Sequence, residues 1–582
     1  MMLQMLTDKG IFKMRDLYTV GVDFGTLSGR SILVRVRDGK IMAEESLEYP
    51  HGVITGGLPE DWALQDPHDY LLVLSETIPK ILKISEVESK DVIGISVDAT
   101  SCTMIPVDAL GTPLSFAAKY KDRPHAWCKL WKHHAAQYEA DRMIVTAARR
   151  GEEFLGRFGG KISSEWMLPK IMQIMDEDPE LYEEIDAFLD ANDWITSYLT
   201  KQEATEEINC NPKSDTDPGI VVNACSAGYK AQWTRDGGYL SRDYLKALDP
   251  RLENISDTKL RYPVVSLGSR AGTIGEAGAK LTGLRPGTAV AVGNVDAHVA
   301  VPGAGINRPG EMLMIIGTST CIMVCSNEER NIKGICGCVK DGILPEMYGY
   351  EAGQPCVGDC LGWFTDNLVT EKYAIEARKA GKTIHELFTE KASELRVGES
   401  GLLVIDWWNG NRSILNNADL TGMIMGLTLR TKPEEIYRAL IESTAFGARK
   451  IRDSFASGGI EANNVYACGG ITRKNTLLMQ IYADVMNTEI KVSQVLQTPA
   501  LGAAMYAAVA AGVENGGYKD IFEAVDAMSD RNYEVYSPNN YNVIAYEKLY
   551  HLYGKAHDFF GSDSPEIMKE LKNRSGGNEH EI

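Results

Sequence analysis

The sequence predicts an α/β protein made of two related domains with a cleft between them. Three observations lead there. At 582 residues the chain is too long for one hydrophobic core. An apolar strand, a Gly-Thr turn and a second apolar strand occur at 18–34, and the pattern returns at 312–324. Around these hairpins, strand-like runs alternate with helical patterns, as crossover connections require. A recurrence this widely spaced is a duplicated domain, not a solenoid repeat. The boundary is expected within 267–286, giving domains at 17–275 and 276–550 and a polar tail at 561–582.

In the first domain the hairpin continues as a meander through 31–36, the turn Asp38-Gly39-Lys40 and 41–49. An amphipathic helix at 67–83 leads to a strand at 92–97 that ends in Asp98-Ala99-Thr100-Ser101, and a hairpin follows through 108–111. Strand ends in open α/β sheets are where ligands sit. Helical patterns cover 126–148, 167–175 and 193–199. Residues 203–222 are polar, carry two prolines and read as a surface insertion. A strand at 289–292 leads through Gly293-Asn294-Val295-Asp296 into a helix. The second domain holds the second hairpin, a helix at 433–455, a strand at 464–468, the turn Gly469-Gly470-Ile471-Thr472, and helices at 475–486 and 500–511. The last is alanine-rich with Gly502, which suits close packing. One short helical stretch is expected after 561, before a disordered end.

The 60 basic and 80 acidic residues give a net charge of −20, which argues against a general nucleic-acid or anionic-membrane surface. No apolar run is long enough to span a bilayer, and residues 1–15 lack the apolar core of a signal peptide. Eleven scattered cysteines form no disulfide framework, which points to the reducing cytoplasm. Six of them fall together, Cys321, Cys325, Cys336, Cys338, Cys356 and Cys360, but without the paired knuckles of a zinc ribbon. Buried free cysteine is a common core residue.

Small residues in the two turns let backbone N–H groups approach phosphate oxygens, and hydroxyls add donors. Gly25, Thr26 and Ser28 in the first turn, with Gly317, Thr318, Ser319 and Thr320 in the second, imply a polyphosphate held between the halves, and so ATP. Other phosphate signatures fail. Gly381-Lys382-Thr383 has Glu376 where a P-loop needs its first glycine. Gly303-Ala304-Gly305 has Arg308 at the third glycine of a dinucleotide fingerprint. Asp23-Phe24-Gly25 has no protein-kinase catalytic loop before it.

Asp23 ends the first strand and can hold Mg²⁺ beside the phosphates. With Gly25, Thr26 and Ser28 after it, that reading outweighs a turn-capping aspartate. Asp296, at a strand end near the cleft, is open to two readings: a base for an attacking hydroxyl, or a helix N-cap. Gly469 and Gly470 suit a backbone packed flat on adenine, with Asn475 capping the next helix, and a plain strand-to-helix turn has the same pattern. Glu351 and Gln354 are polar groups among small residues. Trp127, Trp131, Trp166, Trp407 and Trp408 are apolar faces for a sugar or simply core. Lys230 taken alone reads as solvated surface, and His133 and His134 as an exposed helix face.

Together these residues resemble the FGGY carbohydrate kinases of the actin-like (ribonuclease H-like) ATPase superfamily, and within them the bacterial L-ribulokinase branch. The resemblance runs over 20–550 and is carried by 97–103 (VDATSCT), 130–137 (LWKHHAAQ), 162–166 (ISSEW), 350–359 (YEAGQPCVGD) and 406–412 (DWWNGNR). It implies two actin-like domains closing on ATP and a ketopentose, with phosphate transferred to the 5-hydroxyl of L-ribulose in arabinose breakdown. A kinase acting on xylulose or ribitol is the alternative. It implies Asp296 as the base, with Ala99, Trp131, Lys230, Asp296 and Glu351 lining the sugar. Gly25, Thr26, Arg30, Gly317, Thr318, Ser319 and Thr320 would face the phosphates, and Gly469, Gly470 and Asn475 the adenosine. Segment 203–222 is longer than that family usually has before its Gly-Tyr-Lys motif, here Gly228-Tyr229-Lys230. A sugar sensor that kept the fold is a different class, against which Asp23, Asp296 and both turns argue. An actin- or chaperone-like ATPase is another. A cytoplasmic homodimer without nucleic-acid or membrane partners completes the expectation.

Overall fold

The computed structural model describes residues 15–201 and 219–575. Most of the expected insertion at 203–222 and the expected disordered end of the tail lie outside the described residues. Two seven-stranded sheets dominate. The first comprises β1 (Tyr18–Phe24), β2 (Ser28–Arg35), β3 (Ile41–Glu48), β4 (Val92–Ala99), β5 (Arg270–Thr273), β6 (Ala289–Ala291) and β7 (Asn294–Val295). The second comprises β8 (Glu311–Ile316), β9 (Thr320–Ser326), β10 (Gly337–Lys340), β11 (Tyr348–Gln354), β12 (Asn464–Cys468), β13 (Ile490–Val492) and β14 (Glu534–Tyr536).

The first sheet runs β5-β6-β4-β1-β2-β3, with β7 also on β4, and the second runs β14-β13-β12-β8-β9-β11-β10. Strand sense repeats as well. An antiparallel three-strand meander flanks a parallel strand on its first member, β4 on β1 and β12 on β8. A further parallel strand and an antiparallel edge follow in each sheet. The duplication is therefore one of whole topology, as the recurring hairpin suggests. The copies differ at that edge: β5 precedes β6 in the chain, whereas β14 follows β13.

Residues 276–295, expected in the second domain, supply β6 and β7 to the first sheet. The chain passes to the second sheet between β7 and β8, not at 275–276. Short apolar strands carry no mark of which sheet they join.

Five helices position the site: α1 (Pro67–Ser85), α2 (Ala224–Ala231), α3 (Asp296–Gly303), α4 (Thr476–Met486) and α5 (Thr498–Ala511). Asp66 caps α1 by accepting the His68 N–H, with Pro67 in the first turn. The helix turns Val73, Leu74, Ile78 and Ile81 into the core beside Val20, Val22 and Phe24 of β1. Each such side chain contributes roughly 1.5–3 kcal/mol on burial. The opposite face of β1 and β4 is covered by α5. A Cβ on Gly21 or Gly94 would stand 1.9 or 2.4 Å from the Ala500 or Ala507 carbonyl oxygen. One on Gly502 would stand 1.9 Å from the Val299 oxygen of α3, so the close packing expected at Gly502 is present. A helix from late in the chain is thereby locked between the first sheet and the helix that begins with Asp296.

One expectation changes. The helix expected over 126–148 begins only at Gln137, because 128–129 form a strand paired with 64–65. His133 is consequently buried, its Nε2 2.7 Å from Gln173 Oε1 and its ring against Trp62, while His134 is exposed. Tertiary pairing overrides the local helical pattern there. The short helical stretch expected after 561 is present: helix Glu566–Ser575 buries Met568, and Lys572 donates to the Ala418 carbonyl at 2.7 Å.

Candidate active site

Carboxylates gather where the first sheet ends. Asp23 lies in register with Arg30 on β2 and Asp98 on β4, and Asp98 with Asn294 on β7. Paired residues on neighbouring strands share a face, so these four form one row. Arg30 Nε stands 3.6 Å from Asp23 Oδ2, and Arg30 Nη1 donates to Gln497 Oε1 at 3.2 Å. Asp98 is fully buried, and neither of its oxygens has a hydrogen-bond partner. Asp296 opens α3 and accepts the Ala297 N–H at 2.6 Å.

Burial raises the Asp23 pKa, with Arg30 opposing. Burial and the charge of Asp23 push Asp98 well above the usual carboxylate range. The same two causes push Asp296 up to about 7. Three carboxylates thus repel one another across one site. Mg²⁺ accepts one or two protein carboxylates and completes its shell with phosphate and water. The unpartnered oxygens of Asp98 beside Asp23 fit that need. Among the described residues, no group of three or more His, Cys, Asp or Glu side chains is arranged to hold a metal by itself.

Asn223 caps helix α2 by accepting the Ser226 N–H, and the helix buries Lys230 near its end. Lys230 Nζ donates to Glu351 Oε2 at 3.0 Å. Glu351 belongs to β11 of the second sheet, so this pair crosses between the halves. Burial alone would lower the Lys230 pKa, but Glu351 reverses this and raises it. Burial alone would raise Glu351, but Lys230 and then His298 hold it well below its usual range. His298 of α3 lies 3.5 Å from the same carboxylate oxygen, and burial lowers its own pKa. The Trp166 ring stands 5.9 Å from Lys230 Nζ. A second crossing pair joins Arg412 Nη2 to Glu165 Oε1 at 3.4 Å.

In the second hairpin the Gly317 N–H donates to the Ser319 carbonyl at 2.8 Å. The Thr318 and Gly317 carbonyls are already engaged, by the Val357 N–H at 2.7 Å and the Gly358 N–H at 3.0 Å. Thr318 is exposed, and the Thr320 hydroxyl is buried without a partner. Gly469 has φ +107° and leans on β8, where a Cβ would stand 2.3 Å from the Ile316 carbonyl oxygen. A short helix, Gly470–Lys474, follows where only a turn was expected. Asn475 caps α4, accepting the Leu478 N–H at 2.9 Å. Thr498, next to Gln497, donates to Cys468 Sγ at 3.6 Å, and with the Arg30–Gln497 bond this links the corner to the first hairpin.

The structure brings Asp23, Arg30, Asp296, Lys230 and Glu351 into one electrostatic cluster. Ala99 is buried at the end of β4, next to Asp98. In the first turn the Gly25 N–H donates to the Ser28 carbonyl at 3.0 Å, and Trp131 Nε1 donates to Thr26 Oγ1 at 3.1 Å. Gln354 instead turns into the second domain, donating to Asp406 and to the Thr444 carbonyl. Trp407 is fully buried against His557, and Trp408 packs on Trp363. Sequence reasoning missed Asp98 as a site residue, and also His298, Glu165 and Arg412. Asp98 and His298 neighbour residues it did name. The Glu165–Arg412 pair spans 247 positions, and no local signal joins its members.

The ten described cysteines are free thiols. No helix among the described residues is long and apolar enough to cross a membrane.

Profiles of the N-terminal and C-terminal domains of the FGGY family of carbohydrate kinases match residues 18–212 and 312–511. Over 562 residues the chain is 51% identical to the ribulokinase of Geobacillus thermodenitrificans, which covers 95% of this chain and 96% of that protein. Identity to the ribulokinase of Halalkalibacterium halodurans is 52% over 562 residues, 95% and 97% of the two chains. Among solved structures, a ligand-bound xylulose kinase from Lactobacillus acidophilus superposes with a TM-score of 0.75 at 18% identity, covering 94% of this chain and 99% of that one. Plasmodium falciparum glycerol kinase with ADP gives 0.71 at 18%, covering 93% and 98%. At such identities the solved structures speak for the fold, which is the two-domain α/β architecture expected.

Proposed function

The chain belongs to the FGGY family of carbohydrate kinases, and from that premise we propose that it phosphorylates L-ribulose at the 5-hydroxyl with ATP. The observation that carries this reading is identity of 51% and 52% to proteins named ribulokinase over 95% of the chain. Asp296 accepts the proton of the sugar hydroxyl as that oxygen attacks the γ-phosphorus. The new P–O bond forms as the bond to ADP breaks. A carboxylate poised at about 7 suits such a proton transfer near neutral pH.

Arg30 and the donors of Thr26, Thr318, Ser319 and Thr320 hold the phosphates, and Gly25 and Gly317, whose own N–H groups close the two turns, leave room for the phosphates to approach. Gly469, Gly470 and Asn475 flank the adenosine, and Ala99, Trp131, Lys230 and Glu351 hold the sugar. Asp23, with Asp98 beside it, would hold Mg²⁺, which neutralises charge on the phosphates when bound. Because Lys230 and Glu351 come from different halves, a sugar bonded to both ties its binding to closure, and closure excludes water as a competing acceptor. We place the enzyme in the cytoplasm, in keeping with its free thiols.

A coupled ADP-release screen tests the substrate, using both enantiomers of ribulose and xylulose with ribitol and glycerol as controls. L-Ribulose is expected to give the highest kcat/KM. A higher value for xylulose or ribitol would reassign the substrate, and ADP release indifferent to every sugar would contradict a sugar kinase.

A further inference from the structure

The first phosphate turn is gripped from outside by a small ribbon. Residues 64–65 pair antiparallel with 128–129, and the Leu130 N–H donates to the Ala63 carbonyl at 3.0 Å. This ribbon delivers two side chains to a single residue. Gln65 Nε2 donates to the Thr26 carbonyl at 2.8 Å, and Gln65, itself buried, accepts the Tyr70 hydroxyl. Trp131 Nε1 donates to Thr26 Oγ1 at 3.1 Å. An indole N–H can only donate, so the Thr26 hydroxyl must accept from it. Its own O–H is then left to donate to another acceptor. Without the indole, that hydroxyl is free to rotate.

We infer that Trp131 is a positioning residue that couples sugar occupancy to the first phosphate turn. A sugar packed on the indole fixes the ring, the ring fixes the Thr26 hydroxyl as a donor, and the nucleotide phosphates bind more tightly. This rests on the sugar and phosphate roles proposed above for Trp131 and Thr26. By linkage, the nucleotide tightens sugar binding by the same factor.

The test is calorimetry of a non-hydrolysed ATP analogue with Mg²⁺, with and without L-ribulose, on the full chain. Wild type is compared with Trp131→Phe, Thr26→Val and the double variant. Trp131→Phe keeps an aromatic face and removes the N–H. L-Ribulose is expected to tighten the analogue about fivefold or more in wild type and less than about twofold in either single variant, with no further loss in the double. Thr26→Ser, which keeps the hydroxyl, is expected to keep the coupling, and serves if Thr26→Val does not fold. Full coupling in Trp131→Phe, losses that multiply in the double variant, or lost coupling in a folded Thr26→Ser would each overturn the inference. Direct titration of L-ribulose separates the two readings. If the sugar does not bind wild type, the substrate assignment fails and the coupling with it. If it binds and leaves analogue affinity unchanged, the coupling alone fails.

Discussion

Across the end of the first sheet the paired residues read Arg30, Asp23 and Asp98, and across the equivalent row of the second sheet they read Cys321, Ile315 and Cys468. Both rows stand just before a Gly-Thr turn on strands of matching order and sense. The duplication has kept the hairpin backbone in both sheets, and within this row it has confined the charge to the first. In the second turn two carbonyls are already engaged by the Val357 and Gly358 N–H groups, which removes acceptors that would repel a phosphate. The difference separates two tasks. In the function proposed above, the first turn would manage charge, metal and proton, and the second would supply neutral donors.

The largest expected effect breaks the charged side. Asp296→Asn and Asp296→Ala should each lower kcat by about 10²–10⁴-fold while nucleotide affinity, measured by calorimetry, is retained. Stability should move the other way. The folded-state pKa of Asp296 is raised from 3.8 to about 7, so this group favours the folded state below pH 3.8 and loses that contribution as pH rises towards 7. Asp296→Asn should therefore raise the melting temperature at pH 8. A lower one would show that the loss of turnover reflects misfolding.

Next in size is the bridge between the halves. Lys230→Met leaves the buried Glu351 carboxylate unpaired and should destabilise the protein by about 3–5 kcal/mol in denaturant titration. Adding Glu351→Leu should restore most of that stability without restoring sugar affinity. Recovery of both would deny the pair a role in sugar binding.

The comparison is sharpened by making the first turn resemble the second. Asp23→Ile should cost several kcal/mol, roughly 100-fold or more in kcat/KM, and abolish the Mg²⁺ dependence of nucleotide binding. Thr318→Ala, on the neutral side, should cost about 1 kcal/mol, seen as a few-fold rise in the KM for ATP. Equal penalties for the two would end the division of tasks.

Features carried by a few adjacent residues were legible in the sequence. The hairpin around Asp23, Gly25 and Thr26 forms as its run of strand, glycine and hydroxyl suggests, and Asn475 caps α4 as its position suggests. What depends on distant partners was not legible. β6 joins β4 across nearly 200 residues, so the domain boundary was set too early. Residue type argues for exposure at His133 and Lys230, and the groups that satisfy them, Gln173 and Glu351, lie 40 and 121 positions away. Asp98 was passed over because a buried carboxylate at a strand end looks unremarkable until Asp23 and Asp296 are seen beside it.

The central claim is that proton transfer belongs to the charged side and to Asp296. The most direct test is kcat/KM for L-ribulose against pH at saturating MgATP. A base must be deprotonated to act, so the profile should rise with pH and level off above about 7, falling about tenfold per unit below that. A flat profile between about pH 5.5 and 8, in a protein that stays folded throughout, would contradict it.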